Sequence, residues 1–243
     1  MEEVTYIGHS GFSLETDDVT FLFDYDHGDL SQLNREKALV VFVSHKHADH
    51  YNPKIFELIH EYPEVLYILS KDVLVKREIE QYAKQGICLK DSILTVGFDS
   101  EYRQELSNGH LLEITTLKST DLGVAFLLRY EGRTYYHAGD LNLWLWKEEG
   151  KEYNEKMSNK YFSQLEKLRG MHIDIAFVPL DPRQEEDMFA GIASFMEYTD
   201  TTVVFPMHFW GRYQVILEFL QRYPQYKEKI QIIEREGQKY NEV

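Results

Sequence analysis

Ala38-Leu39-Val40-Val41-Phe42-Val43, followed at once by Ser44-His45-Lys46-His47-Ala48-Asp49-His50, is the stretch on which the reading of this chain turns. The first six residues are apolar and rich in β-branched types, the pattern of a strand buried on both faces. The residues after them place His45, His47, Asp49 and His50, all potential metal donors, at the point where that strand ends. Loops held at strand ends by a rigid scaffold are where chemistry concentrates. A solvated, histidine-rich loop is the bland alternative, but three imidazoles and a carboxylate at this spacing argue for metal ligation. Imidazole with carboxylate suits zinc, manganese or iron.

Working outward, residues 4–7, 12–15 and 20–23 read as short strands separated by Gly- or Asp-rich turns, a meander of hairpins. Downstream, Pro53 opens a helix to about His60, residues 65–69 form another buried strand, and 71–84 form a helix stopped by Gly86. Strands are expected again over 92–96, 101–106, 111–117, 124–130 and 133–136, the last delivering His137-Ala138-Gly139-Asp140. Residues 147–156 are polar and read as a surface excursion, after which Asn159 caps a helix carrying Tyr161, Leu165 and Leu168. A strand over 173–178, a helix over 188–198, a strand over 202–205 and a last helix with Val215, Ile216, Phe219 and Leu220 inward complete the pattern. Residues 231–233 are expected as an edge strand. The two comparable halves lack a linker, so the expectation is one unit over 1–243. Its class is α/β (α+β), with two packed mixed β-sheets and helices outside.

Of the 243 residues, 43% are apolar, enough for a sizeable core, and the formal net charge is −15. That charge disfavours a nucleic-acid backbone as partner but not a small anionic substrate, because a bound cation reverses the local sign. Cys88 is the only cysteine, so a disulfide framework is excluded. The acidic opening Met1-Glu2-Glu3 does not resemble a signal peptide, and no run approaches a membrane span. A cytoplasmic protein is expected, with no membrane partner and with homo-oligomerisation left open.

His45-Lys46-His47-Ala48-Asp49-His50 resembles the HxHxDH signature of the metallo-β-lactamase superfamily of metal-dependent hydrolases. Gly139-Asp140 and Pro206-Met207-His208 follow in the order of that family's pattern. The opening Tyr6-Ile7-Gly8-His9-Ser10-Gly11-Phe12 is similar to the entry of the branch that includes ascorbate-6-phosphate lactonase. The resemblance implies a four-layer αββα sandwich and one or two divalent ions, zinc first, with manganese or iron as alternatives. It implies that His45 and His47 bind one ion, that Asp49, His50 and His208 bind a second, and that Asp140 bridges them. Bound metal would then supply a nucleophile near neutral pH, and Asp49 would also pass a proton to the leaving group.

Other residues carry weaker signals. His9, in a Gly-bounded loop, is expected to face substrate or to back a ligand, and Asp24, at a strand end, to orient a ligating imidazole. His137 reads as a buried structural histidine. Arg183 is expected either to clamp an anionic substrate group or to make a salt bridge at a helix start. Leu143-Trp144-Leu145-Trp146 reads as a pocket wall or a satellite core cluster.

One position departs from the family pattern. Where a further histidine is expected after the strand at 111–117, this chain has Lys118-Ser119-Thr120-Asp121. His110 lies at the other end of that strand, roughly 20 Å away at about 3.3 Å per residue. Lys118 could replace part of the missing charge or meet substrate, Asp121 could complete the site for a harder ion, or the pair could be only a turn. Unequal metal sites are therefore expected, firm at Asp49, His50 and His208 and loose at His45 and His47. The leading functional expectation is a hydrolase acting on a small ester, lactone or phosphoester. The alternatives are an iron-dependent oxidoreductase and a non-catalytic metal-dependent binding protein.

Overall fold

The computed structural model describes residues 2–241. Its first sheet collects β1 (Glu3–Gly8), β2 (Gly11–Glu15), β3 (Val19–Phe23), β4 (Ala38–Val43), β5 (Val65–Ser70) and β6 (Ile93–Val96). The second collects β7 (Ser100–Glu105), β8 (Leu111–Lys118), β9 (Val124–Tyr130), β10 (Arg133–His137), β11 (His172–Pro179) and β12 (Asp200–Met207). A last strand, β13 (Gln238–Asn241), returns to pair with β1. The strand orders are β13-β1-β2-β3-β4-β5-β6 and β12-β11-β10-β9-β8-β7, and both sheets mix parallel with antiparallel pairs.

Alternation along β4 shows how the layers assemble. Successive strand side chains point to opposite faces. Val40 and Phe42 enter the core between the sheets, whereas Leu39, Val41 and Val43 join Ile55, Phe56 and Tyr82 on the outer face. The space between the sheets is aromatic. Phe12 meets Phe177 at 4.6 Å and Phe42 meets Phe126 at 5.1 Å between ring centroids, each pair crossing from one sheet to the other. Burying each such ring is worth about 1.5–3 kcal/mol, so this layer fixes how the sheets face each other. With α1 (Lys76–Ala83) outside one sheet and α2 (Lys151–Leu165), α3 (Ala190–Tyr198) and α4 (Gln214–Arg222) against the other core, the result is the αββα sandwich. Among the described residues no helix is long and apolar enough to cross a membrane.

Three local expectations are corrected. The excursion at 147–156 is largely helix: α2 begins at Lys151, and Asn159 lies inside it. Its buried residues start only at Met157, and the exposed first turns are supported by Lys151–Glu155 and Glu152–Lys156 ion pairs rather than by an apolar stripe. Pro53–His60 is a 3-10 helix, with the Asn52 side chain accepting from Lys54 N–H. The edge strand is β13, not residues 231–233, which are held instead beside a single bridge between Ile230 and Val204.

Strand direction gathers the site. β1, β3 and β4 run one way in the first sheet, and β8, β10, β11 and β12 share a direction in the second. The loops that follow these seven strands carry His9, Asp24, residues 44–50, Asp121, Asp140, Asp181 and His208. Two glycines let the loops close. A Cβ on Gly123 would lie 1.9 Å from the Ser44 carbonyl oxygen, and one on Gly139 would lie 2.6 Å from Ser44 Cβ. Both also have positive φ, at 68° and 50°, which glycine adopts without steric cost.

Candidate metal centre

Asp140 stands at the middle of the site and is nearly fully buried. Its Oδ1 lies 3.1 Å from His50 Nε2 and 3.4 Å from His208 Nε2, while its Oδ2 lies 3.4 Å from His45 Nε2. The carboxylate thus turns one oxygen to each of two donor groups. The first group is His9, Asp49, His50 and His208; the second is His45, His47, Asp121 and Asp140. Within each, the donor atoms lie within 4.8 Å of one another.

Buried carboxylates behind the histidines set which nitrogen faces inward. Asp24, fully buried, accepts from His50 Nδ1 at 2.8 Å, from Ser44 N–H at 2.7 Å and from the Ser44 hydroxyl at 2.6 Å. Because that hydroxyl donates to Asp24, Ser44 Oγ accepts from His45 Nδ1 at 3.0 Å. Asp181, also fully buried, accepts from His208 Nδ1 at 2.9 Å. The network therefore makes Nδ1 the donor on His45, His50 and His208, so that each Nε2 faces the site, where its lone pair would serve a ligand once neutral.

The residues fit a divalent ion. His9 Nε2, His50 Nε2, His208 Nε2 and Asp140 Oδ1 are all buried without a hydrogen-bond partner. Leaving a buried polar atom unsatisfied costs about 1–3 kcal/mol, and four converging on one space call for an ion that ties them together. His9 approaches Asp49 Oδ2 to 3.4 Å through Nε2, and His208 N–H donates to the His9 carbonyl at 3.2 Å. Backbone strain concentrates here too: His9, Asp24, His208 and Trp210 have φ of 45°, 41°, 65° and 54°. Each such residue costs of order 1–3 kcal/mol unless its surroundings hold it.

Electrostatics separate the donors. Burial disfavours charge on His50, but Asp140 and Asp24 outweigh it and hold its pKa well above the usual histidine value. Burial holds His9 and His45 below that value. Burial pushes the Asp49 carboxyl up, yet the nearby imidazoles of His9 and His50 leave it well below the carboxylate range. For Asp181, burial is outweighed by hydrogen bonds from His208 and Arg183, which bring it down to about 2.

The second group is more open. His45 is buried, but the side chains of His47 and Asp121 are 43% and 46% exposed, with His47 Nδ1 3.5 Å from Asp121 Oδ2. Asp121 thus occupies the place where the missing histidine was expected. Lys118 is not brought to the site: its ammonium lies over the Phe98 ring at 4.8 Å. His110 pairs with Glu131, and His137 is a core histidine, donating from Nε2 to the Ser10 carbonyl at 3.0 Å and stacked on Phe23.

A cavity of about 290 Å³ opens over both groups, lined on one side by His47, Asp49, Asp121, Asp140 and His208. Thr120, Trp144, Trp146, Tyr153, Met157 and Arg183 complete its lining. Several supports had no evident signal in the sequence. Trp144 Nε1 donates to the Asp140 carbonyl at 2.9 Å, Thr120 Oγ1 to the Asn142 carbonyl at 2.6 Å, and Asn142 Nδ2 to buried Gln184 at 3.0 Å. Asp181 could have been found by the rule that singled out Asp24, a carboxylate just past a buried strand.

Fold and site together define an αββα protein with two candidate metal-donor groups meeting at a carboxylate beside its strand ends. The chain belongs to the beta-lactamase superfamily, whose domain model matches residues 3–155. No curated protein matches it in sequence. Among solved structures it is similar to Igni18, a novel metallo hydrolase from Ignicoccus hospitalis, at TM-score 0.65 and 17% identity over 98% of this chain and 97% of that one. It is also similar to the human tRNase Z short form, at TM-score 0.58 and 14% identity over 98% of each chain. A third likeness is to CmlA, a diiron β-hydroxylase from Streptomyces venezuelae, at TM-score 0.58 and 12% identity over 98% of this chain and 53% of that one. At these identities the likeness is one of fold.

Proposed function

We propose that the protein is a metal-dependent hydrolase acting on a small ester, lactone or phosphoester. The observation that carries this reading is the convergence of four buried, unpartnered donor atoms beside a cavity that opens to solvent. His9, Asp49, His50, His208 and Asp140 would hold one divalent ion, and His45, His47 and Asp121 would share Asp140 around a second. Such an ion supplies Lewis acidity and a nucleophile at neutral pH. The chain's own groups do the rest. Asp140 positions the two donor groups, and Asp24 and Asp181 hold the imidazoles in the ligating tautomer. Asp49, 31% exposed at the cavity and ionised at neutral pH, is placed to take up a proton briefly and pass it to a leaving group. At about 290 Å³ the cavity lies just below the roughly 300–1,000 Å³ typical of ligand sites, which supports a small substrate.

Turnover of an ester, lactone and phosphoester panel, with bound metal measured in parallel, tests the proposal. His50→Ala should lose both metal and turnover; full activity in that variant would defeat the reading. Asp121 supports a second reading, because two histidines with carboxylates also make an open iron site. Stoichiometric iron with oxygen consumption, and no hydrolysis across the panel, would favour that oxidoreductase.

A further inference from the structure

The site described above explains the metal donors but not the rest of the cavity lining. Arg183 is the only lysine or arginine among the described residues lining it, against three carboxylates in a chain of net charge −15. An arginine kept there needs a reason. Asp181 grips the guanidinium along one edge, through Nε at 3.0 and 2.9 Å and Nη2 at 2.5 Å. Nη1 makes no hydrogen bond to any described residue. The guanidinium also lies 4.5 Å from the ring centre of Trp210 and 5.9 Å from that of Trp146. Its plane is thus fixed while its side chain stays 50% exposed at the cavity. Asp181 does not cancel this charge alone, since it also accepts from His208 Nδ1 and from Trp210 Nε1 at 3.3 Å.

Beside Arg183, Trp146 stacks parallel to Trp144, with ring planes 1° apart and centroids 6.0 Å apart, and Met157 adds an apolar thioether. Resting on the hydrolase reading, we propose that Arg183 and the Trp144–Trp146 wall form a subsite that selects substrates bearing a carboxylate or phosphate on a flat, apolar body. The oxyanion pairs with the free edge of Arg183, and the body lies along the indoles, which places a bond of the same molecule against Asp49 and Asp140.

All three tryptophans of the chain, Trp144, Trp146 and Trp210, lie in or against this subsite, so intrinsic fluorescence reads it directly. The test is a fluorescence titration of the metal-loaded protein with phenylphosphonate, benzoate and neutral benzamide, none of which needs to turn over. Wild type should bind at least one of the two anions at least tenfold more tightly than benzamide, and which anion wins identifies the headgroup. Arg183→Gln should weaken that anion about ten- to a hundred-fold, the range of a charge-assisted pair, with metal content unchanged. Arg183→Lys keeps an ion pair to Asp181 but lacks the planar donor edge, and should weaken the anion too. Trp146→Ala should weaken anion and amide alike, about two- to tenfold. Equal binding of anion and amide by wild type overturns the subsite. So does unchanged anion affinity in both Arg183 variants, which would mean that the anion sits on the metal. Because the readout is binding, absence of hydrolysis across a substrate panel would defeat the hydrolase reading and leave this result standing.

Discussion

The two donor groups that share Asp140 are built to different standards. His9, His50 and His208 are buried, and the latter two are backed by fully buried carboxylates and turn unpartnered nitrogens to one oxygen of Asp140, while His9 turns its own to Asp49. On the other side only His45 is buried and backed, through Ser44, while His47 and Asp121 stand about half exposed. Rigid, dehydrated donors lose little freedom when an ion binds, whereas exposed side chains must be ordered and stripped of water. The contrast teaches that sharing a carboxylate does not make two sites equal. What backs the ligands decides.

The largest expected effect falls on the residue common to both. Asp140→Ala should remove metal from both groups, read by elemental analysis of purified protein; retention of one full equivalent would show that the groups are independent. Next, Asp181→Asn removes the acceptor that fixes His208 and should lower affinity at the buried group about 10–100-fold, the range for residues behind a ligand. The exposed group should keep its affinity, so a loss spread over both would blur the distinction. A smaller change is expected of Asp121→His, which gives the exposed group a third imidazole. Its zinc affinity should rise toward that of its neighbour, and an unaltered binding curve would remove Asp121 from the ligand set.

Protons sharpen the same contrast. His50 has its pKa held well above the usual value, so in metal-free protein it keeps a proton at pH 7, whereas burial leaves His9 and His45 neutral there. Ligating imidazoles must be neutral, so filling the buried group at pH 7 should release about one proton, taken from His50. Calorimetry in buffers of different ionisation enthalpy measures this. Affinity at that group should fall steadily as pH drops from 8 to 6, and a flat profile would contradict the assignment.

Much of this was legible in the chain before its fold. The β4 strand and its ligand loop could be read because a both-faces-buried strand and a dense donor cluster are local signals. Asp140 and His208 needed the family order, since an isolated Gly-Asp or Pro-Met-His says little. Asn142, Gln184 and Trp210 were not singled out because each acts through a partner 29 or more positions away, whereas Asp181 stood just past a buried strand as Asp24 does. Lys118 and Asp121 show the limit from the other side: three positions apart, one leaves the cavity for Phe98 and the other enters the donor group. Only the turn between β8 and β9 decides which. The first turns of α2 were missed because their support is ion pairing on an exposed face, which leaves no apolar periodicity.

The central claim is the inequality of the two sites, and the most direct test is a crystal structure grown with limiting zinc and refined against anomalous scattering. At one equivalent per chain, the signal is expected to lie among His9, Asp49, His50 and His208. A second peak among His45, His47 and Asp121 should fill only with excess metal. Equal peaks at one equivalent, or a first peak at His45 and His47, would contradict it.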